Sequence, residues 1–417
     1  MDDLLFTNVR VITMDDSMPR AEAVFVSGDR IKFVGSAREA SQFVQASGAG
    51  KNLSVIDLKG KTLVPGFNDD HVHLLAGADH LMMPDLSGKS GREIVDFLKS
   101  RYQDARPGDL ISGSGWDYTA CRDPDKKLLD NAFPENPVVL LQYSGHGAWV
   151  NSLVLKQLKI DSSTPDPDGG RILRDSNNEP TGILQDMAAT PLHTRRFMEM
   201  NFNKQVRRKL LDSALQMFRE NGITSVQDNT WVPFTAGEYV RYARMGSLTL
   251  RISCWSLGIK PFLAAWMELK PFHGTWVRQG PRKYFLDGTF STKTAWLKEA
   301  YNGEDANFGM PYLPLDKLSL IVTAAARAKR QIAFHAIGDK AVHELVNTVE
   351  KASERYPAVT GLRLRVEHAQ LISPEDLPRI KTLGLVISAQ PSALVSPEKD
   401  GAILGSERSR AAYPFRS

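Results

Sequence analysis

Cysteine is nearly absent. Cys121 and Cys254 are the two in 417 residues, and neither sits in a Cys-x-x-Cys pair. That argues against a disulfide framework and against a thiolate zinc site, and it suits a reducing, cytoplasmic setting. An excess of one charge is lacking too. Fifty-two Lys and Arg against 48 Asp and Glu leave a formal net charge of +4. With no basic run and no aromatic-basic interleaving, nucleic acid is not an expected partner. No apolar run approaches the length of a membrane span, about 20 residues. The opening MDDLLFTNVRVITMDD has no basic region leading an apolar one, so neither a signal peptide nor a membrane anchor is read there. Histidine is sparse as well, nine in all, so where the histidines fall carries information.

What is present is ordinary for a globular chain: 42% apolar and 24% charged residues. The length fits a barrel of roughly 250 residues with other modules added. Residues 1–62 read as short strands. Leu5 to Met14 alternates loosely, Ala23 to Val26 and Arg30 to Val34 flank the turn signal Gly28-Asp29, and Ser54 to Leu58 and Thr62 to Val64 flank Lys59-Gly60-Lys61. They predict a small β-domain portion ahead of the main one, which is taken as 63–417. From Leu63 the texture changes to apolar runs that end in polar or ionisable groups. LVPGFNDDHVH is the first. Gly222 to Asn229, Leu248 to Trp255, Lys283 to Asp287, Gln331 to His335, Leu362 to His368 and Leu385 to Gln390 follow. Helical spacing precedes several of them: Val206, Leu210, Ala214, Leu215 and Phe218 before one, Leu318, Val322, Ala325 and Ala326 before another, and Ala341 to Arg355 before a third. Strands alternating with helices predict an α/β fold with a parallel sheet. Seven such strands are counted where a closed (β/α)₈ barrel has eight. The stretch 76–203 is too long for a plain connection and rich in turn signals, Pro165-Asp166-Pro167-Asp168-Gly169-Gly170 among them. It reads as an insertion with its own small structure.

His71 and His73 lie two apart at the end of the first barrel strand, so both side chains share a face. A lone His-x-His is as often a pair of surface histidines. His335 and His368, however, end two further strands, and strand C-termini are where barrel active sites form. Neutral imidazole is the commonest side-chain metal ligand, and nitrogen and oxygen donors without thiolate suit zinc, iron, manganese or nickel. Lys283 is read as starting the strand KYFLDG, with Asp287 on the same parity. An ordinary solvated lysine is the commoner case. A buried one has a depressed pKa and could take up carbon dioxide to become a carbamate that bridges two metals.

VPGFNDDHVH, KYFLDGTFSTKTAWLKEAY, FHAIGDKAV and RVEHAQLI, with SGHGAWVNS, the Asp-Pro-Asp-Gly-Gly segment and PTGIL, resemble in order the motifs of amidohydrolase family 3, in the branch that includes N-substituted formamide deformylases. The resemblance covers essentially the whole chain. It implies a TIM barrel of the metal-dependent hydrolase type, with a β-sandwich portion at residues 1–62 and an insertion after the first barrel strand. It implies one or two divalent ions, zinc first among them. His71 and His73 would hold one metal, a carboxylated Lys283 would bridge to a second, and His335 and His368 would hold that second. His146 would lie near the substrate, and Trp116 is taken with it as a substrate-side residue, alongside the neighbouring aromatics Tyr118 and Trp149. The family's last ligand and general base is an aspartate in a Gly-Ser-Asp motif. No Gly-Ser-Asp occurs in this sequence, so no catalytic residue is assigned, that aspartate is expected beyond Ser417, and this chain by itself is expected to be inactive. The expected activity is hydrolysis of a carbon–nitrogen bond of amide or formamide type in a small molecule, by metal-activated water. The alternatives are deamination by the same metal cradle and a catalytically dead barrel kept for binding. A homodimer is the assembly considered.

Overall fold

The computed structural model describes residues 3–48, 53–231, 233–258, 274–391 and 397–414. The chain divides into two compact units, Met1–Asn68 with Gly222–Thr224, and Asp69–Asn221 with Ser225–Ser417.

The first unit holds two small sheets. One runs Arg30–Gly35, Ala23–Ser27, Asp3–Thr7, Leu53–Asp57; the other runs Arg20–Ala21, Arg10–Ile12, Thr62–Leu63. The alternating run from Leu5 is not one strand. Asn8 takes φ 48, a left-handed turn that asparagine tolerates better than most residues, and the chain passes there from one sheet to the other. A helix at Ala37–Ser47 was not expected. Its signal was in the sequence, as Ser-Ala-Arg-Glu: Ser36 and Glu39 form a capping box, which satisfies two otherwise orphaned N–H groups. The helix buries Ala40 and Val44 against Leu5, Ala23 and Phe25.

The second unit is built on a parallel, nearly closed barrel sheet of the TIM type. Among the described residues its strands are β1 (Phe67–Val72), β2 (Ile223–Trp231), β3 (Arg251–Leu257), β4 (Val277–Phe285), β5 (Ile332–Ala336), β6 (Arg365–His368) and β7 (Val386–Ser388), each beside the next. The two edges curl towards each other: Ser388 Oγ on β7 donates to Asp70 Oδ2 on β1 over 3.1 Å. Helices intervene as periodicity predicts, at Lys204–Glu220, Leu315–Ala328 and Asp339–Arg355. The last buries a stripe of Ala341, Val342, Leu345, Val346, Val349 and Ala352, which packs on Phe334 and Val366 of the sheet. Each large side chain buried this way contributes about 1.5–3 kcal/mol.

One strand differs from its sequence reading. β4 starts at Val277 rather than at Lys283, so Lys283 lies near its C-terminal end. Gly280 and Pro281 hide the earlier half, because both residues ordinarily signal a break. The stretch after β1 carries a five-stranded mixed sheet in the order Gly170–Arg174, Pro180–Asp186, Gly147–Val150, Val138–Gln142, Ile111–Trp116. Its core includes Ile94, Leu98, Leu129, Trp149 and Ile183. Trp116 belongs to that core. It is 1% exposed, stacks edge-on with Tyr118 and Trp149, and donates its indole N–H to Leu140 O. The expectation of a substrate-side tryptophan is corrected accordingly: the inward face of a strand spends this ring on packing.

Candidate functional site

Four strands bring their polar ends to one place. His71 is the last residue but one of β1 and His73 follows that strand; Lys283 lies near the end of β4, His335 near the end of β5, and His368 ends β6. The four imidazoles form a continuous row. Ring centres are 5.6 Å apart for His73 and His71, 4.7 Å for His71 and His368, and 4.6 Å for His368 and His335. Pairing of β5 with β6 sets Ala336 opposite His368 and His335 opposite Glu367, which is how residues 33 apart in sequence become neighbours.

Three of these rings have one nitrogen tied to an oxygen. His71 Nδ1 donates to Glu367 Oε2 at 2.5 Å. His335 Nε2 donates to Gly288 O at 3.0 Å. His368 Nδ1 donates to Gln390 Oε1 at 2.6 Å. Each of these bonds fixes a tautomer and leaves the other ring nitrogen as a bare lone pair, the state in which imidazole binds metals. The surroundings keep the rings neutral. Burial lowers the pKa of His71, an effect that outweighs its bond to Glu367. Burial and the Lys283 charge hold His335 well below the ordinary histidine value. Burial, with His335 and Lys283, does the same to His368. His73 opens onto accessible space, yet the protein around it, His71 and Lys283 bring it to about 3.

Lys283 is 2% exposed. Burial, aided by the Arg365 charge and opposed by Glu367, brings its pKa from 10.5 to about 8. Its Nζ lies 5.5 Å from the centre of the Phe285 ring. Asp287 is fully buried and accepts backbone N–H groups from Ile337, Gly338 and Trp296 at 3.0, 2.8 and 3.0 Å. It anchors the loop after β4 to the end of β5. Burial still raises its pKa to about 7 against those donors. His368 takes φ 75 and Ala369 φ 45, an unusual pair of left-handed residues. Such strain, of order 1–3 kcal/mol, clusters at functional positions. His146, in the insertion, donates Nδ1 to Asp186 Oδ1 at 3.1 Å, and it lies near enough to His73 and His335 to interact with both electrostatically. Asp186 itself has φ 47.

Sequence reading missed Glu367 and Arg365. A signal existed: charged residues at alternate positions of RVEH, on a strand that otherwise reads as barrel interior, must be paired with each other or with something opposite. Gln390 and Asp186 had no comparable signal, because their partners are 22 and 40 residues away.

The site can be compared with known proteins. A family model described as the amidohydrolase family matches residues 54–417. The chain belongs to the amidohydrolase family. The amidohydrolase chain is 33% identical, over all of its own length and 73% of the relative's, to Protein LONG AFTER FAR-RED 3 of Arabidopsis thaliana. It is 28% identical to the N-substituted formamide deformylase of Arthrobacter pascens, over 94% of this chain and 73% of the relative. Among solved structures it resembles an uncharacterized metal-dependent hydrolase from Pyrococcus horikoshii, with a TM-score of 0.76 and 26% identity, covering all of this chain and 80% of that one. Family and neighbour together support a hydrolase, with a small molecule as the kind of substrate. No helix among the described residues is long and apolar enough to cross a membrane.

Proposed function

We propose that this amidohydrolase cleaves a carbon–nitrogen bond of amide or formamide type, using divalent metal held by the barrel histidines. The observation that carries the reading is the row of four neutral imidazoles beside a buried lysine at the C-terminal ends of barrel strands. The donor set fits such an ion: nitrogen ligands with lone pairs free, no thiolate, and zinc first among the metals that suit it. His71 and His73 would hold one ion and His335 and His368 a second. A bound divalent metal would supply a water acidic enough to be hydroxide near neutral pH, and would polarise the scissile carbonyl.

The chain's own groups do the rest. Lys283, with a pKa near 8, keeps a share of free amine at neutral pH. That amine would add to carbon dioxide: a nitrogen–carbon bond would form as one carbon–oxygen π bond opens, one proton would leave to solvent, and the product would be an anionic carbamate with oxygen donors for a cation. Gly288 O and Gln390 hold His335 and His368 in one tautomer. His146, steadied by Asp186, would be a hydrogen-bonding partner for the substrate's amide group. The formamide type of bond is favoured because one relative carries that activity in its name.

The test is metal analysis together with a product assay. The gene product at its native length, with the Gly-Ser-Asp aspartate included where it carries one, is loaded with zinc, dialysed, and offered N-substituted formamides, simple amides and aminated heterocycles. Formate and amine released from the first group, lost on chelation and restored by zinc, is the expected result. Ammonia from heterocycles instead would replace this reading with deamination. Stoichiometric metal with no turnover of any of them would replace it with a binding role.

A further inference from the structure

Among the described residues, Glu367 is the carboxylate hydrogen-bonded to the imidazole ring of one of the four barrel histidines, whereas Asp69 accepts from the backbone N–H of His71. Glu367 is 0% exposed. A carboxylate buried to that degree is costly unless its charge is paired and its oxygens are satisfied. Arg365 does this: Nε donates to Oε1 at 2.7 Å and Nη2 lies 3.3 Å from Oε2. The same Nη2 donates to the backbone oxygen of Asp70 at 3.1 Å, the residue directly before His71, and reaches Asp70 Oδ2 at 3.3 Å. The guanidinium also lies over the Trp255 ring of β3, 4.9 Å from its centre. One arginine of β6 thereby fixes both the backbone of β1 at Asp70 and the carboxylate that holds the His71 ring.

We propose that Glu367, clamped by Arg365, is a positioning residue for His71: it holds the proton on Nδ1 and turns Nε2 towards the cation that His71 and His73 would share. The reasoning is one of inventory. An ionised carboxylate only accepts hydrogen bonds, so the nitrogen facing it must be the donor, and a neutral imidazole has one donor. The second nitrogen is then committed to being an acceptor or ligand. Arg365 supplies direction. A guanidinium is a rigid planar fork, and its bonds to Oε1 and Oε2 set the plane in which the carboxylate can meet His71. This inference rests on the metal-site reading above. Partners of metal-bound histidines that are lost typically weaken metal binding by roughly 10–100-fold.

The test measures zinc affinity by competition with a chromophoric chelator, on intact chains, together with the visible spectrum of the cobalt-substituted protein. Glu367→Leu removes the acceptor and should weaken the tighter or the weaker of the bound ions by roughly 10–100-fold and alter the cobalt spectrum. Glu367→Gln keeps an oxygen where Oε2 stood and should fall between Glu367→Leu and the parent. Glu367→Leu leaves Arg365 with a stranded charge, so the double variant Glu367→Leu with Arg365→Met serves as the fold control. If positioning is the cause, the double variant stays weak for zinc although its thermal stability recovers. Parental zinc affinity in the double variant, or an unchanged cobalt spectrum in Glu367→Leu, would overturn the proposal while leaving the metal-site reading intact. Failure of the parent protein to bind zinc at all would remove both.

Discussion

Two clusters in the second unit contain histidine, and they differ in what their donors are already doing. His343, Glu375 and Asp376 offer donor atoms all within 4.8 Å of one another, and they are the one such group of His, Cys, Asp and Glu among the described residues. Convergence is their only claim. Asp376 accepts from His343 at 2.9 Å and from Arg379 at 2.7 Å, and Glu375 accepts from Lys298 at 2.6 Å. Every charge has its counter-charge, and the cluster stitches the helix Asp339–Arg355 to the helix Asp376–Thr382. The barrel row is looser in geometry, yet it gathers four imidazoles and a lysine around a single hydrogen-bonded carboxylate. Ligand capacity is a matter of lone pairs left over after the protein's own bonds are counted, more than of how tightly the donors crowd.

The comparison can be broken most sharply at His335. His335→Asn is expected to reduce bound zinc per chain and to lower any hydrolysis by at least ~100-fold, because several kcal/mol of carbonyl polarisation depend on the metal; elemental analysis and a product assay read it. Next in size is Leu345→Ala, on the buried face of the helix that bears His343. Loss of a fully buried leucine should cost about 2–5 kcal/mol in urea unfolding, with zinc per folded chain unchanged. That outcome would separate what holds the barrel together from what holds the ion.

Lys283 gives a pH signature in the metal-free protein. Its folded pKa, about 8, lies below the ordinary 10.5, so between those values the unfolded chain binds more protons than the folded one. Stability therefore rises with pH across that window, and below about 8 the full cost of burying the charge is present. Thermal unfolding from pH 7.5 to 10 should show this rise in the parent and lose it in Lys283→Met. The smallest effect belongs to His343→Asn. His343 is part-exposed and the buried Asp376 keeps its bond from Arg379, so the change in stability should be about 1 kcal/mol, the worth of one hydrogen bond, and zinc content should not move. A fall in bound zinc with this variant, matched by none with His335→Asn, would reverse the comparison.

Much of the second unit was legible. Apolar runs ending in polar groups marked all seven barrel strands among the described residues, because a strand carries ionisable residues at least cost at its mouth, and those elsewhere, such as Arg365, need a partner. The boundaries were less so. β3 begins three residues after Leu248, and Gly280-Pro281 concealed half of β4, because a barrel interior tolerates residues that local propensity rejects. The insertion announced that it had structure of its own without saying which, since two of its strand pairings are short hairpins but the other two, Ile111–Trp116 with Val138–Gln142 and Gly147–Val150 with Pro180–Asp186, cross long stretches and leave no short-range pattern.

The histidines show the same division. Sequence alone determined that His71, His73, His335 and His368 would stand at strand ends, because the two-residue period of a strand and the order of the elements are local properties. It determined too that the candidate donors at those ends are nitrogen rather than sulfur. Only the tertiary structure decided which nitrogen of three of the rings is spoken for, that Lys283 is buried deeply enough to bring its pKa down to about 8, that Trp116 is packed away, and that Glu367 faces a histidine 296 residues distant. Those depend on which strands lie across the barrel from one another, and side-chain hydrogen bonds across such a distance leave no mark on neighbouring residues in the chain.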